Sequence, residues 1–290
     1  ISDKRKSSGH TVVTYKNFEF NKQFPRNYFG TELSSAAQQA YERDSVFWLA
    51  NRTEPLTDKE VRFIHYKDSV YQATHAKSYL DSVDKVTNKL TWQNLLYKGQ
   101  NLNDHEKRWQ MLFPSLLELI QPFQLGGVRI EPSFFYSKTW KSRKNLNIFS
   151  NFSYGLRNKD INGSISVNRM YNPFNRSFYT VRLEKDFQYI FNGDAWINMI
   201  QRSNLYLNKA LGVGHGLEIS NGLFLYSDID VAFRSSVSGY KTNDKIDSLF
   251  GNVLDNNQAV DFPSYNAVYG KLRLEFTPRQ RFIREPREKI

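Results

Sequence analysis

The sequence contains no cysteine and no apolar run long enough to form a membrane-spanning helix. Without cysteine, disulfide frameworks and thiolate metal sites are excluded. A membrane helix needs roughly 18–20 consecutive apolar residues, and no stretch of the chain reaches that length. A secretory signal is also absent, and the chain begins at Ile1 without methionine. We therefore expect a processed chain or a piece of a longer protein.

Motifs of known enzyme classes are missing as well. The chain has no HExxH pattern, no GxSxG and no P-loop. GVGHG at 212–216 lacks the spacing of a dinucleotide-binding loop, so we interpret it as a flexible turn. We expect no catalytic residue, no cofactor and no metal site, and we interpret the five histidines as surface or interface residues: His10, His65, His75, His105 and His215.

Positive charge is in excess but is not gathered in one place. The formal net charge is +11, and the basic runs KRK, KSRK and RQRFIREPREK are far apart. A nucleic-acid site needs clustered cations with stacking aromatics, whereas basic residues here are interleaved with acids. We expect no nucleic-acid partner and favour anionic lipid head groups.

Two neighbouring runs alternate between apolar and small polar residues, NIFSNFSYGL and INGSISVNRMY. A period of two places successive side chains on opposite faces, which indicates β-strands. RNKD between the runs is a short polar turn, so the unit is predicted to be a β-hairpin. Phe149 and Ser150 are the exceptions to the alternation.

The same format of about ten residues, with one apolar face and one often charged face, recurs along the second half. It suits a tilted strand that crosses a bilayer and has a wet interior on its other side. The segments are GVRIEPSFFYSKTW, SFYTVRLEKDFQY, LFLYSDIDVAFRSS and AVYGKLRLEFTPRQ. The predicted lumen-facing polar residues are Arg182, Glu184, Asp186, Arg273 and Glu275, and the predicted lipid-facing residues are Val181, Leu183, Leu272 and Leu274. Aromatic residues recur toward strand ends, as in interface girdles, among them Trp140 and Tyr171.

The first half has a different character. Residues 34–96 are rich in helix formers, and Thr57 and Glu60 are spaced as a capping box before an apolar stripe. We also expect a strand over 11–20, a short helix within 190–204 and a long polar loop over 238–265.

These patterns predict a mainly β protein: an antiparallel transmembrane β-barrel preceded by a helical segment. We count about seven strands, fewer than the roughly eight of the smallest single-chain bacterial barrels, so we expect a partial barrel, its first half. The predicted divisions are 1–33 as the end of a β domain, 34–122 as a helical or mixed connector and 123–290 as the first barrel strands.

Five segments of the chain carry a resemblance to a known family: PRNYFGTEL, RDSVFWLANRTEPLTDKE, YKDSV, SYLDSVDKVTNK and TPRQRFIREPREKI. They resemble a Bacteroidota outer-membrane family that joins a carboxypeptidase-regulatory-like domain to a large domain of unknown function. The resemblance implies a barrel similar to that of outer-membrane assembly and translocation factors, and it places the helical connector in the periplasm. This chain is then similar to the middle portion of such a protein.

The resemblance and the patterns together predict a non-enzymatic outer-membrane protein that acts in protein assembly, translocation or surface export. Expected partners are outer-membrane lipid or lipopolysaccharide and other outer-membrane or periplasmic proteins. Two alternatives stay open: a solute transport channel, and a secreted soluble β-sandwich that binds ligands or acts as a hydrolase.

Asp-Ser followed by an apolar residue occurs four times and resembles the sites at which Bacteroidota attach O-glycans to exported proteins. Asp-Ser pairs also favour helix starts and turns, which is the simpler explanation. We expect the protein from its native host to weigh more than its sequence mass, and Ser→Ala replacement at all four sites to remove the excess. An unmodified intact mass contradicts glycosylation of Ser45, Ser69, Ser82 and Ser248.

Overall fold

A computed structural model gives the fold of six stretches of the chain: residues 18–25, 30–52, 54–125, 127–191, 202–241 and 258–290. Most of the strand predicted over 11–20 and of the helix predicted within 190–204 lies outside the described residues, as does Ser248.

Four α-helices occupy the segment predicted to be helical: α1 Gln38–Tyr41, α2 Ser45–Asn51, α3 Asp58–His75 and α4 Lys77–Thr87. The predicted capping box at the start of α3 is confirmed, because Glu60 N donates to Thr57 Oγ1 and Thr57 N donates to Glu60 Oε2, 2.8 Å away. One turn of π-helix follows at Asn94–Lys98. Among the described residues, no helix is both long enough and apolar enough to cross a bilayer.

The described residues also form thirteen β-strands. They are β1 Glu32–Ser35, β2 Gln100–Asp104, β3 Trp109–Phe113, β4 Ile120–Gln124, β5 Gly127–Ile130, β6 Ser133–Thr139, β7 Asn145–Gly155, β8 Asp160–Asn172, β9 Ser177–Tyr189, β10 Leu205–Ser220, β11 Leu223–Ser236, β12 Tyr265–Phe276 and β13 Phe282–Arg284. Eleven of them make one antiparallel sheet in the order β12-β11-β10-β9-β8-β7-β6-β3-β2, with β5 paired to β4 and β7. The mainly β, antiparallel prediction is confirmed. Within the described residues, β2 and β12 are the two ends of an open path, so the sheet does not close into a barrel there.

The predicted hairpin is confirmed as β7 and β8, which pair without interruption from Asn145↔Met170 to Gly155↔Asp160. Phe149 and Ser150, the two exceptions in the sequence, do not interrupt the alternation of side-chain directions. Phe149 pairs with Ser166 on the polar side, and Ser150 pairs with Ile165 on the apolar side.

The prediction of a flexible turn at 212–216 is wrong. These residues lie in the middle of β10, the longest strand, which pairs along its length with β9 and β11. The glycines stand at polar-face positions of the strand, where they give no alternating polar signal, and both neighbouring strands pair with β10 at these positions. The sheet also begins earlier than the predicted boundary at 123, because β2 and β3 join it through β6.

The two ends of the sheet differ in their connections. One end, here called the turn end, carries the short connections 105–108, 140–144, 173–176 and 221–222. The opposite end, here called the loop end, carries the longer connections 114–132, 190–204 and 237–264, together with the short turn 156–159. A small apolar cluster lies at the loop end and is formed by Leu125, Leu205, Leu207 and Val237.

Helix α4 covers the free edge of β2 with two side chains one helical turn apart. The Asn88 amide donates to Asn103 O over 2.7 Å and accepts from Asn103 N over 2.6 Å. Asp84 accepts from His105 N over 3.0 Å. These side chains bond backbone groups near the turn end of β2, so the edge of the sheet is covered there.

The segment after β12 returns to the turn end. Strand β13 pairs with β1 in parallel, and Lys289 Nζ contacts Glu218 Oε1 at 2.7 Å with both side chains largely buried. Asn221 Nδ2 donates to Gln280 O over 2.6 Å. The C-terminal residues therefore pack against the β10–β11 turn.

Candidate functional site

The large sheet has two chemically distinct faces. The polar face holds all five residues predicted to face a lumen, since cross-strand pairs share a face: Arg182, Glu184, Asp186, Arg273 and Glu275. The apolar face holds the four residues predicted to face lipid: Val181, Leu183, Leu272 and Leu274. The structure therefore separates the two predicted sets onto opposite sides of the same strands.

The apolar face is continuous across neighbouring strands and is exposed. One row of paired residues runs Ile165, Leu183, Leu211, Val231 and Val268 from β8 to β12. Leu183 is 50% exposed and Leu272 on β12 is 71% exposed. Isolated monomers rarely expose contiguous apolar patches of more than a few hundred Å². Such a face needs an apolar environment or a covering partner.

Arg182 is the centre of an ion-pair cluster on the polar face. Its Nη2 lies 3.0 Å from Asp230 Oδ1 and 3.3 Å from Asp228 Oδ1. Both carboxylates lie on β11, and β10 lies between that strand and β9. The Arg182 guanidinium on β9 thus reaches across β10 to the carboxylates on β11.

Glycines of β10 make room for this bridge. A Cβ atom on Gly212 would lie 2.1 Å from Asp230 Oδ1, and one on Gly214 would lie 2.5 Å from Asp228 Oδ1. Because Gly212 pairs with Asp230 and Gly214 with Asp228, the G-x-G of β10 stands opposite the D-x-D of β11. That matched spacing is the signal in the sequence that could have identified the cluster.

The other predicted polar residues make separate contacts. Glu184 Oε1 accepts from Gln188 over 2.6 Å and from Asn208 over 3.2 Å. Arg273 and Glu275 form a half-exposed ion pair at 3.9 Å. The polar face therefore carries several local networks, and Arg182 is not joined to Arg273 or Glu184 by a direct bond.

Asn and Ser on the polar face bond each other across strands. Ser137 Oγ donates to Asn147 Oδ1 over 2.8 Å, and Asn168 Nδ2 donates to Thr180 Oγ1 over 2.8 Å. Small amide and hydroxyl side chains satisfy one another or water at little packing cost. This explains Asn147 and Asn168 of the hairpin, whereas the buried Asn162 side chain has no hydrogen-bond partner among the described residues.

Arg129 is the most deeply buried charged side chain among the described residues, with no exposed surface, and sequence reasoning did not single it out. Its Nη2 lies 2.9 Å from Asp160 Oδ2, and its Nε donates to Ser153 Oγ over 2.6 Å. Ser153 Oγ in turn donates to Glu131 Oε1 over 2.7 Å. The guanidinium also lies over the Phe187 ring at 5.3 Å, so it links β5, β7, β8 and β9 at the loop end.

The histidines and serines singled out from the sequence are dispersed. Among the described residues, no group of three His, Asp or Glu side chains could hold a metal ion. Ser69 and Ser82 lie within exposed helices, and each hydroxyl donates to a backbone carbonyl three residues earlier. Ser45 is the first residue of α2, which Asp44 caps by accepting from Phe47 N over 2.9 Å. Asp44 thus caps the start of a helix, which is the simpler explanation given above for Asp-Ser pairs.

Comparison with known proteins gives one match. The model of a family of unknown function, described as the DUF5686 C-terminal domain, matches residues 92–290. A search of curated proteins and a search of solved structures return no match. The matched range begins just before β2 and contains the whole large sheet.

Proposed function

The chain belongs to the DUF5686 family of unknown function, and from that premise we propose that its large sheet is part of the wall of a bacterial outer-membrane β-barrel. The apolar face contacts lipid in this proposal, the polar face lines a water-filled interior, and the helices lie in the periplasm. On the resemblance seen in the sequence, the proposal also includes a Bacteroidota origin and a non-enzymatic role in protein assembly, translocation or surface export.

The exposed apolar face carries this proposal. Val213 and Ile229 occupy the middle of their strands and are 50% and 58% exposed. In a soluble sandwich, side chains at such positions pack against a second sheet. In the described part of this chain, the second sheet consists of β1 and β13, which pair beside the turn end.

Strand length and loop asymmetry give further support. Strands β7 to β12 contain 11 to 16 residues, well above the usual five or six for globular proteins. Transmembrane strands need about 9–11 residues for the hydrocarbon core, and outer-membrane barrels have short periplasmic turns and longer outer loops. The turn end would then be periplasmic, which agrees with the helices and the C-terminal segment on that side.

Among the described residues, β12 pairs with β11 on one side and has no partner strand on the other. Backbone groups within hydrocarbon must all be paired, so a strand edge cannot remain open there. The edge of β2 is covered by Asp84 and Asn88 only at its turn end. Closure in a bilayer therefore needs further pairing along β12.

Conductance distinguishes the proposed role from solute transport. We expect the full-length protein in planar bilayers to show no steady open-channel current, because an assembly factor is closed at rest. A porin reconstituted in the same way is the control. A stable ohmic conductance for this protein would contradict the assembly role and favour the transport channel. A protein that stays in solution without detergent would instead favour the soluble alternative.

A further inference from the structure

A basic groove lies at the turn end, beside the apolar face. It has a volume of about 560 Å³ and lies between the β6–β7 turn, the β8–β9 turn and the C-terminal segment. Its three cations, here called the groove cations, are Lys141, Lys144 and Arg287, and all three are exposed. Arg287 Nη1 donates to Lys141 O over 2.9 Å, which connects the C-terminal segment to the turn.

Two more cations extend the groove onto the apolar face. Lys138 Nζ lies 5.5 Å from the centroid of the Trp140 ring, and the Arg169 guanidinium lies 5.6 Å from it. Both residues are on the apolar face, since each pairs with Leu146 of β7. A tryptophan with flanking cations at the end of an apolar band is typical of a membrane–water boundary.

Tyr171 lines the groove and belongs to an aromatic stack. The Tyr171 ring stacks on Tyr179 at 6.3 Å and on His215 at 5.9 Å, and its hydroxyl group lies 2.8 Å from His215 Nε2. These contacts hold Tyr171 in place between the apolar face and the groove cations.

Three carboxylates at this end pair with other cations, and Glu285 accepts from the Tyr41 hydroxyl group over 2.6 Å. Glu288 pairs with Arg143 at 3.1 Å, Glu218 with Lys289 at 2.7 Å and Asp104 with Lys107 at 3.2 Å. Throughout the described part of the chain, no carboxylate forms an ion pair with the groove cations, Lys138 or Arg169. Among the residues that the structure describes, these five positive charges around one groove thus have no carboxylate partner.

We propose that this groove binds the phosphate group of an anionic phospholipid, with the acyl chains along the neighbouring apolar face. The inference rests on the proposed function, because it requires that this face meet lipid. Groove cations at the edge of an apolar surface match a ligand with a charged head and an apolar tail. A free phosphate ion would satisfy the cations but would not use Trp140 or the exposed rows of the sheet.

The test is a lipid titration of the full-length protein in neutral detergent micelles, followed by native mass spectrometry, with phosphatidylglycerol as the probe. The triple variant Lys141→Gln, Lys144→Gln, Arg287→Gln is expected to bind phosphatidylglycerol about 100-fold more weakly. Each of the three cations contributes a similar share of the binding free energy for an anionic head group. The matched control is Lys59→Gln, Lys67→Gln, Lys89→Gln, which removes three exposed cations from the helical segment. It is expected to bind like the unchanged protein.

Equal binding by the groove variant and the unchanged protein would overturn the proposal. Displacement of the lipid by millimolar inorganic phosphate would overturn the lipid source, because the site would then be an anion site. Failure of the proposed function has a different signature: the unchanged protein would stay in solution without detergent. Membrane association with unchanged lipid binding by the groove variant would refute the groove alone.

Discussion

Replacing Leu183 by arginine is expected to destabilise the protein in phospholipid vesicles by about 2–4 kcal/mol. Leu183 lies in the middle of β9, between Ile165 and Leu211 on the apolar face, and is 50% exposed. If that exposed surface meets hydrocarbon, a guanidinium there must be desolvated or must drag water and head groups into the bilayer. Both routes cost free energy, and the cost is largest near the midplane.

The matched control is Thr180→Arg on the same strand. Thr180 pairs with Asn168 and Gly214 on the polar face, and Asp228 stands opposite Gly214. An arginine there can reach water and a carboxylate, so we expect a change within about 0.5 kcal/mol. The measurement is the free energy of unfolding by denaturant in vesicles. Equal tolerance of both substitutions would show that the apolar face does not contact lipid.

Period-two alternation was sufficient to predict the hairpin and its faces, because every second side chain of a paired strand shares one environment. It also predicted that Leu183 and Leu272 lie on the same face of the sheet, although their strands are far apart in the sequence. Local spacing also predicted the capping box of Thr57 and Glu60, since both partners lie within one helical turn.

Alternation failed at β10 for a physical reason. Gly212 and Gly214 carry no side chain because Asp230, Asp228 and Arg182 occupy the space above them. Residues on the neighbouring strands therefore explain the glycines. Taken alone, the sequence of β10 has a composition typical of a turn. The partners of Arg182 depend on the same register, since Asp228 lies 46 residues away along the chain.

The placement of the helical segment likewise could not be predicted from local patterns. Asp84 lies on α4 and Asn88 caps its C-terminal end four residues later, which is ordinary helical spacing. Their role as hydrogen-bond partners for the edge of β2 appears only when the helix packs beside that strand. The resemblance of this segment to a known family indicated a connector, and the contacts with Asn103 and His105 are how it connects.

Replacing Arg129 by methionine is expected to destabilise the protein by about 3–5 kcal/mol, because it leaves a buried carboxylate without its counter-ion. Arg129 is fully buried, and Asp160 is almost so. The guanidinium also bonds Ser153 and Leu125 O, so its loss leaves polar groups without this partner on β7, on β8 and in the turn after β4. Methionine keeps much of the volume, which limits the contribution of a cavity.

Two further variants separate charge from packing. Asp160→Asn in the Arg129→Met background is expected to recover part of the loss, since it removes the uncompensated charge. Arg273→Met breaks the exposed pair with Glu275, with side chains 55% and 54% exposed, and is expected to cost less than about 1 kcal/mol. The measurement is again unfolding by denaturant in vesicles. If Arg129→Met costs no more than Arg273→Met, the buried cluster does not hold β5, β7 and β8 together, and the loop end must be stabilised chiefly by the apolar cluster around Leu205 and Val237.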